Sequence, residues 1–209
     1  VECTGSETMF GKEDVGEMLK QGSIDSERVE RAVREILYAV GEDPTRPGLV
    51  NTPSRVAQMY AEVFSGLFVD PIDALDGVFH EDYDSIVLLK DINFSSICEH
   101  HLIPFYGIVH VGYIPNGELL GLSKIVRMIT VLSRRPQIQE RLTNQIADTL
   151  MEKLQPQGVA VFIQAEHSCM SLRGVKNVGS KVVTCVNRGI FDSSPEVENR
   201  FLSMIQENA

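Results

Sequence analysis

The sequence Cys98-Glu99-His100-His101 follows one predicted β-strand and precedes another. Its four consecutive residues offer a thiolate, a carboxylate and two imidazoles. Cys98 and His101 have the C-x-x-H spacing that lets both side chains reach one zinc ion. Because two ligands do not make a site, this stretch alone predicts only part of a metal centre.

A second cluster of the same chemistry lies far downstream, in Glu166-His167-Ser168-Cys169. Cys98, His101 and Cys169 together predict a two-Cys, one-His zinc site. Three protein ligands leave a fourth position for water, which is the catalytic arrangement of zinc.

Simpler interpretations of these residues remain open. Cys98 and Cys169 could form a disulfide or be ordinary buried thiols, and His100 or His167 could be a hydrogen-bonded core histidine. The first residues do not resemble a signal peptide, so we expect a cytoplasmic, reducing location in which a disulfide is disfavoured. The clustering of thiols with imidazoles favours the metal.

Composition limits the classes of function. The chain has 209 residues, 43% of them hydrophobic, which suits one sizeable domain or a domain with a helical extension. A formal charge of -10 argues against a general nucleic-acid surface. No apolar run approaches the length of a membrane span. We therefore expect neither nucleic acid nor membrane as a partner.

The N-terminal part predicts an arm followed by a helical pair. Residues 1–24 show little periodicity, which predicts a mobile arm, with a short helix at Lys12–Leu19. Residues 25–84 form a predicted helical region. Asp25 or Ser26 starts its first helix and Gly41 ends it. Thr52 is the predicted N-cap of its second helix, with Pro53 at the first helical position.

Residues 85–209 form the predicted α+β core, one functional domain with the helical region. Strands are predicted near Ile86–Leu89, Val109–Tyr113, Val159–Glu166 and Lys181–Arg188, and helices over 123–132, from Pro136 onward and over Pro195–Gln206. The order strand–strand–helix–helix–strand–strand predicts an antiparallel sheet with two helices on one face. Such a sheet has exposed edges, so we expect an oligomer.

Basic residues cluster at the start of the first core helix. Gly121-Leu122-Ser123-Lys124 begins it, and Arg127 follows one turn later. Free N–H groups and the helix dipole favour an anion there, although these cations could equally form a solvated helix face. Past Cys169, Arg173 and Lys176 bring further positive charge.

Glu140 has both a simpler and a functional interpretation, whereas two arginines and two cysteines have only a structural one. Glu140, near the start of the long helix, could hold a base edge or simply stabilise the helix N-terminus. Arg134 and Arg135 are expected to face solvent at a helix end. Cys185 is expected to pack within its strand, and Cys3 to be a free thiol in the arm.

The combination of motifs resembles the zinc-dependent GTP cyclohydrolase I family, which has the tunnelling fold (T-fold). The resemblance runs from about residue 28 to the C-terminus, with the motifs in the family's order. The matching segments are Thr52-Pro53-Ser54-Arg55-Val56-Ala57, Cys98-Glu99-His100-His101, Gly121-Leu122-Ser123-Lys124, Arg134-Arg135-Pro136-Gln137, Gln139-Glu140-Arg141-Leu142-Thr143, Glu166-His167-Ser168-Cys169 and Arg173-Gly174.

The resemblance implies a role for each matching residue. The zinc ligands would be Cys98, His101 and Cys169, and the proton-transfer residues His100 and His167. Glu140, helped by Gln139, would recognise the guanine edge. The substrate's triphosphate would be held by Leu122, Ser123, Lys124, Arg127 and Arg173, with Arg55 from a neighbouring subunit. Where some relatives carry a Lys three residues after that Arg, this chain has Gln58, which removes one possible phosphate cation.

The resemblance also implies a reaction and an assembly. Zinc-activated water would open the imidazole ring of GTP at C8 and release formate. Rearrangement and ring closure would then give 7,8-dihydroneopterin triphosphate, the first step of folate or tetrahydropterin synthesis. The family assembles as a toroidal homodecamer with active sites at subunit interfaces.

Three other functions compete with this one. The chain could be another T-fold enzyme acting on a pterin or deazapurine, although such relatives lack the pairing of Cys98-Glu99-His100-His101 with Cys169. It could be a catalytically silent, zinc-bound oligomeric binding protein. It could also open GTP yet stop at the formamide.

Overall fold

The computed structural model describes residues 22–206, so Cys3, the predicted helix at Lys12–Leu19 and nearly all of the predicted arm lie outside the described residues. The chain forms two compact units, one ending at Phe68 and the other beginning at Val69. The division of the chain into 25–84 and 85–209 stays a prediction.

The N-terminal unit contains the predicted helical pair, α1 (Ser26–Ala39) and α2 (Thr52–Val63), followed by a 3₁₀ turn at Ser65–Phe68. The Asp25 carboxylate caps α1 by accepting a hydrogen bond from the Arg28 N–H at 2.9 Å. Asn51, rather than Thr52, is the N-cap of α2. Thr52 is the first helical residue, and Pro53 follows it within the first turn, where a proline is tolerated because its missing N–H would have no partner in the helix.

The second unit is the α+β core. After a 3₁₀ turn at Pro71–Ala74, its elements are β1 (Val78–His80), β2 (Val87–Cys98), β3 (Pro104–Ile114), β4 (Glu118–Leu120), α3 (Leu122–Ser133), β5 (Pro136–Gln137), α4 (Gln139–Leu154), β6 (Gly158–His167), α5 (Ser168–Ser171), β7 (Val182–Gly189), α6 (Ile190–Ser193) and α7 (Pro195–Gln206). The predicted terminal helix is confirmed.

The main sheet has five strands in the order β5-β2-β3-β6-β7, while β1 and β4 form a separate two-stranded ribbon. The four long strands are antiparallel neighbours, and β5 adds two residues parallel to the end of β2. The predicted strand–strand–helix–helix–strand–strand order of the T-fold is therefore confirmed. None of the helices within residues 22–206 is long and apolar enough to cross a membrane.

Two boundaries differ from the sequence prediction. β2 extends well beyond the predicted Ile86–Leu89, and its register shifts between Leu89 and Ile92, around Asp91 at φ 59°. Such a bulge breaks the alternation of side chains and hides the strand from a period-two pattern. The long helix begins at Gln139 rather than Pro136, since Pro136 and Gln137 pair with the end of β2.

Each face of the sheet carries its own apolar core. The larger core lies between the sheet and the helix pair α3–α4, and its fully buried members include Val109, Val111, Tyr113, Ile129, Leu142, Ile146, Val161 and Ile163. The prediction of two helices on one face is thus confirmed. On the other face α6 and α7 pack over Ile114 and Ala160 through Phe191 and Phe201.

Two burial predictions are wrong. Arg134 and Arg135 do not face solvent freely but are half-buried, and Arg135 Nη2 donates to the Val69 carbonyl at 3.3 Å. Cys185 is exposed on β7 rather than packed within its strand.

Packing of α7 against the sheet leaves no room for a side chain at Gly112. A Cβ on Gly112 would lie 2.7 Å and 2.8 Å from ring carbons of the fully buried Phe201. We expect Gly112→Ala to lower the free energy of unfolding by about 1–3 kcal/mol, as overpacked cores do. Denaturant unfolding measures this change. In a Phe201→Leu background the cost of Gly112→Ala should shrink, whereas equal costs in both backgrounds would contradict the clash.

Candidate active site

Pairing of β3 with β6 brings the two sequence clusters together. β2 ends at Cys98, and β3 returns antiparallel to it, placing Phe105 opposite His167 at the end of β6. Cys169 follows at once in α5. The loop between β2 and β3 and the end of β6 therefore meet at one edge of the sheet.

A tight turn directs Cys98 and His101 to the same side. The Leu102 N–H donates to the Cys98 carbonyl at 2.9 Å, and the Cys98 N–H donates to the Ile103 carbonyl at 2.9 Å. Leu102 takes φ 52°, in the left-handed region that reverses the chain. As a result, Cys98 Sγ and His101 Nδ1 lie 3.9 Å apart.

The three predicted ligands converge. The ligand atoms of Cys98, His101 and Cys169 all lie within 4.8 Å of one another. Bonds of about 2.0–2.3 Å to a tetrahedral ion require ligand atoms about 3.5–3.8 Å apart, so small side-chain movements suffice. Cys98 is buried, Cys169 half-buried and His101 exposed, which leaves one side of the cluster open. Both cysteines are free thiols, so the disulfide alternative is wrong.

The electrostatics of the thiols also favour a cation. Burial raises the pKa of Cys169, and the adjacent Cys98 raises this pKa further because two neighbouring thiolates repel. A divalent ion would remove that repulsion, and thiolate and imidazole donors suit a soft or borderline metal. The residues present therefore fit a metal ion.

His167 lies beside this cluster in a defined orientation. Its ring stacks on Phe105 with centroids 4.7 Å apart and planes within 7°. Its Nε2 lies 2.9 Å from Gln139 Oε1. Burial lowers the pKa of His167, while the carboxylate of Glu140 partly opposes that shift. Burial in the site therefore favours the neutral form of the His167 imidazole.

His100 occupies the exposed side of the loop. Its ring is edge-on to His101 at a centroid distance of 6.3 Å. Beside it, Glu99 accepts two hydrogen bonds from Arg141 of α4, at 2.5 Å and 3.1 Å. The Arg141 hydrogen bonds lower the pKa of Glu99. This bidentate ion pair ties the His100 loop to α4; sequence reasoning quoted Arg141 within a motif but gave it no role.

The first turn of α4 presents two predicted substrate residues in different environments. Glu140 is exposed. Gln139 is only 1% exposed, and its side-chain amide is hydrogen-bonded within the protein. Their roles in recognising a base stay predictions.

The predicted cation cluster lies on the first turns of α3, whose N-cap is Gly121. Leu122, Ser123 and Arg127 are exposed there. Lys124 is ion-paired with Asp76, which the sequence pattern does not indicate because Asp76 lies in an irregular segment far upstream. The hydrogen bond from Lys124, followed by the charge of Arg127, lowers the pKa of Asp76.

The remaining predicted cations are exposed. Arg173 and Lys176 lie on the loop that follows α5, and the charge of Arg173 acts on Cys169. Arg55 lies on α2 of the N-terminal unit, with Gln58 one turn later. The contacts of these residues with a substrate stay predictions.

Comparisons with known proteins identify the family of the chain. The GTP cyclohydrolase I family profile matches residues 29–206. The chain is 52% identical over 204 residues to GTP cyclohydrolase 1 of Thermobifida fusca, covering 97% of this chain and 98% of that relative. It is 55% identical over 185 residues to GTP cyclohydrolase 1 of Lysinibacillus sphaericus, covering 88% and 98%.

A solved structure, archaeosine synthase QueF-Like in the apo form, aligns with 50% of this chain and 94% of its own at 21% identity and a TM-score of 0.42. The family profile and the two bacterial relatives each span most of the sequence. This chain belongs to the GTP cyclohydrolase I family.

Proposed function

We propose that this chain opens the imidazole ring of GTP at C8, releases formate and closes the product to 7,8-dihydroneopterin triphosphate. Family membership makes the chain a hydrolase with GTP cyclohydrolase I activity. The observation that carries the chemical proposal is the convergence of Cys98, His101 and Cys169 beside His167. The folate or tetrahydropterin route would consume this product.

Zinc is the metal we propose for the Cys98, His101 and Cys169 site. Two thiolates and an imidazole are donors that zinc accepts, and three protein ligands are typical of its catalytic sites. When bound, zinc would lower the pKa of a water from about 16 towards about 7 and so supply the nucleophile at neutral pH.

The two remaining histidines would handle protons. Attack at C8 becomes easier when the purine N7 is protonated, and His167, beside the metal ligands, would hold the proton given to N7. His100, exposed on the neighbouring loop, would exchange protons as the ring opens and formate leaves. The Glu99–Arg141 ion pair supports this role because it anchors the His100 loop.

Guanine recognition would fall to Glu140, whose exposed carboxylate lies at the N-terminal turn of α4. A carboxylate accepts hydrogen bonds from the N–H groups of a guanine edge. The amide of Gln139, the predicted helper of Glu140, already has protein partners, which favours an indirect contribution.

The triphosphate would lie over Leu122, Ser123, Lys124 and Arg127 at the α3 N-terminus, with Arg173 beside it. Cations and free N–H groups at a helix start favour such an anion. Phosphate would compete with the Asp76 carboxylate for Lys124. Arg55 from a neighbouring subunit would complete the site. Position 58, where some relatives carry a Lys, is Gln58 here and would add no positive charge.

We also propose a homodecamer with interfacial active sites in the cytoplasm. β7 ends the sheet, and among the described strands it pairs with β6 alone. Ile36, Tyr38 and Val40, at the C-terminal end of α1, are each more than half exposed. Open edges and apolar surface are features that assembly covers. Free thiols at the metal site suit a reducing compartment.

Turnover tests the reaction. We expect the zinc-loaded chain to produce formate from GTP, together with a pterin that fluoresces after oxidation. His167→Ala should lower kcat by about 10²–10⁴-fold because a general acid is lost. Cys185→Ala, on the exposed part of β7, is the matched control.

Each other outcome excludes part of the proposal. Formate without pterin would mean ring opening without closure. If folded, zinc-loaded protein gave neither product, the chain would be a binding protein rather than an enzyme. Normal turnover by His167→Ala would remove the acid role.

Metal content tests the ligand set. Changes of residues that only support metal ligands typically weaken metal binding by about 10–100-fold. We expect Cys98→Ala and Cys169→Ala to weaken zinc binding by more than this. Equilibrium dialysis followed by mass spectrometry of the metal measures this loss. Cys185→Ala should bind zinc like the unmodified chain, and unchanged zinc in Cys169→Ala would contradict the site.

Subunit mixing tests the interface. We expect Arg55→Ala and Cys169→Ala chains to be almost inactive alone but to regain up to about a quarter of full activity when co-expressed, because mixed neighbours rebuild intact sites. The formate assay on the purified, size-matched oligomer reports the gain. If verified mixed oligomers showed no gain, either one chain would supply both Arg55 and Cys169 to each site, or Arg55 would not belong to the site.

A further inference from the structure

The buried side chain of Gln139 has a forced orientation. Its Nε2 lies 3.2 Å from the Ile163 carbonyl, 3.1 Å from the Val182 carbonyl and 3.1 Å from Thr184 Oγ1. Carbonyl oxygens only accept hydrogen bonds, so the amide must direct its N–H groups to this side. The reversed amide would place Oε1 against two carbonyl oxygens at 1% exposure, which is strongly unfavourable.

Two threonines complete a closed circuit behind this amide. Thr143 Oγ1 lies 2.7 Å from the Gln139 backbone carbonyl and 2.7 Å from Thr184 Oγ1. A hydroxyl has one proton, and the Gln139 carbonyl can only accept, so the Thr143 proton is directed to that carbonyl. Thr184 therefore donates to Thr143, while its own oxygen accepts from Gln139 Nε2. Gln139 Nε2 has two N–H groups and three acceptors within reach, so one N–H is shared between two of them.

The circuit leaves Gln139 Oε1 directed at His167, 2.9 Å from Nε2. Because Oε1 only accepts, Nε2 must be the protonated nitrogen of the neutral ring. The lone pair then lies on Nδ1. Stacking on Phe105 restricts rotation of the ring, so both the plane and the tautomer of His167 are defined by neighbours that are not metal ligands.

We propose that Gln139, Thr143 and Thr184 are positioning residues that hold His167 as the Nε2–H tautomer and so make Nδ1 the atom that exchanges a proton with the substrate. This inference rests on the proposed function of His167, and it gives Gln139 a task other than contact with guanine. The ligating or catalytic histidines of other enzymes are commonly oriented by such a hydrogen bond to their second nitrogen.

A spectroscopic test reads the tautomer without turnover. Solid-state ¹⁵N NMR of the zinc-loaded full chain labelled with [¹⁵N]histidine should show His167 protonated at Nε2, the signal being identified by its loss in His167→Phe. Gln139→Met, which has similar length but no acceptor, should populate the Nδ1–H form. Protonation at Nδ1 in the unmodified chain would overturn the proposal even if GTP turnover is normal.

Kinetics of a matched pair test the circuit. Thr184→Val removes the hydroxyl with little change in volume and should lower kcat by about 10-fold, whereas Thr184→Ser keeps the hydroxyl and should stay within about twofold. Zinc content and KM for GTP should change little in both, and Gln139→Met should likewise lower kcat rather than raise KM.

Contrary kinetics would be equally decisive. Full activity in Thr184→Val, or a Gln139→Met effect confined to KM, would overturn the positioning role and return Gln139 to direct substrate contact. If Thr184→Val does not fold, the NMR assignment of the unmodified chain still decides the proposal. If the unmodified chain does not turn over GTP at all, the proposed function fails while the tautomer is still measured.

Discussion

The ten-residue pairing between β3 and β6 is the constraint on which the site depends. It places Phe105 opposite His167 and therefore the loop after Cys98 beside Cys169. A register shift of one residue would send every side chain of a strand to the other face. Close backbone contact protects this register, because a Cβ on Gly107 would lie 2.0 Å from the Gln164 carbonyl oxygen. The three candidate metal ligands are thus brought together by the backbone hydrogen bonds of the sheet.

The candidate site lies where the larger apolar core reaches the sheet edge. Cys98 belongs to that core, Cys169 packs against it, and His101 is exposed. Burial disfavours ionised thiols and protonated imidazole, which is the direction of the pKa shifts of Cys169 and His167. A cation bound at this boundary would interact with both buried donors and solvent, as a hydrolytic centre requires.

The start of α4 combines three tasks in consecutive residues. Gln139 points into the protein and contacts His167, Glu140 is exposed, and Arg141 binds Glu99 of the loop that carries His101. Successive side chains on a helix point about 100° apart, so three consecutive residues can contact three different parts of the protein. This short segment links His167, the proposed proton-transfer residue, with the proposed base-binding carboxylate and the loop that carries His100.

Much of this protein followed from local sequence. The helical periods of α1 and α4, the β-rich run of β6 and the boundaries of α7 were recognisable because one face of each element is consistently apolar. Residue types and spacing also indicated Cys98, His101 and Cys169, since few other purposes bring two thiols and several imidazoles into two short motifs. The family resemblance supplied the expected roles of residues such as Arg173, which spacing alone left ambiguous.

Only the tertiary structure decided which distant residues complete these motifs. The bulge in β2, the pairing of Pro136–Gln137 with the strand end, the ion pair of Asp76 with Lys124 and the circuit through Thr184 all depend on contacts across the fold. A local pattern reports which face of an element is buried, whereas hydrogen-bond partners depend on strand register and helix placement. Sequence therefore determined the elements and the ligand types, and the fold determined how His167 is held.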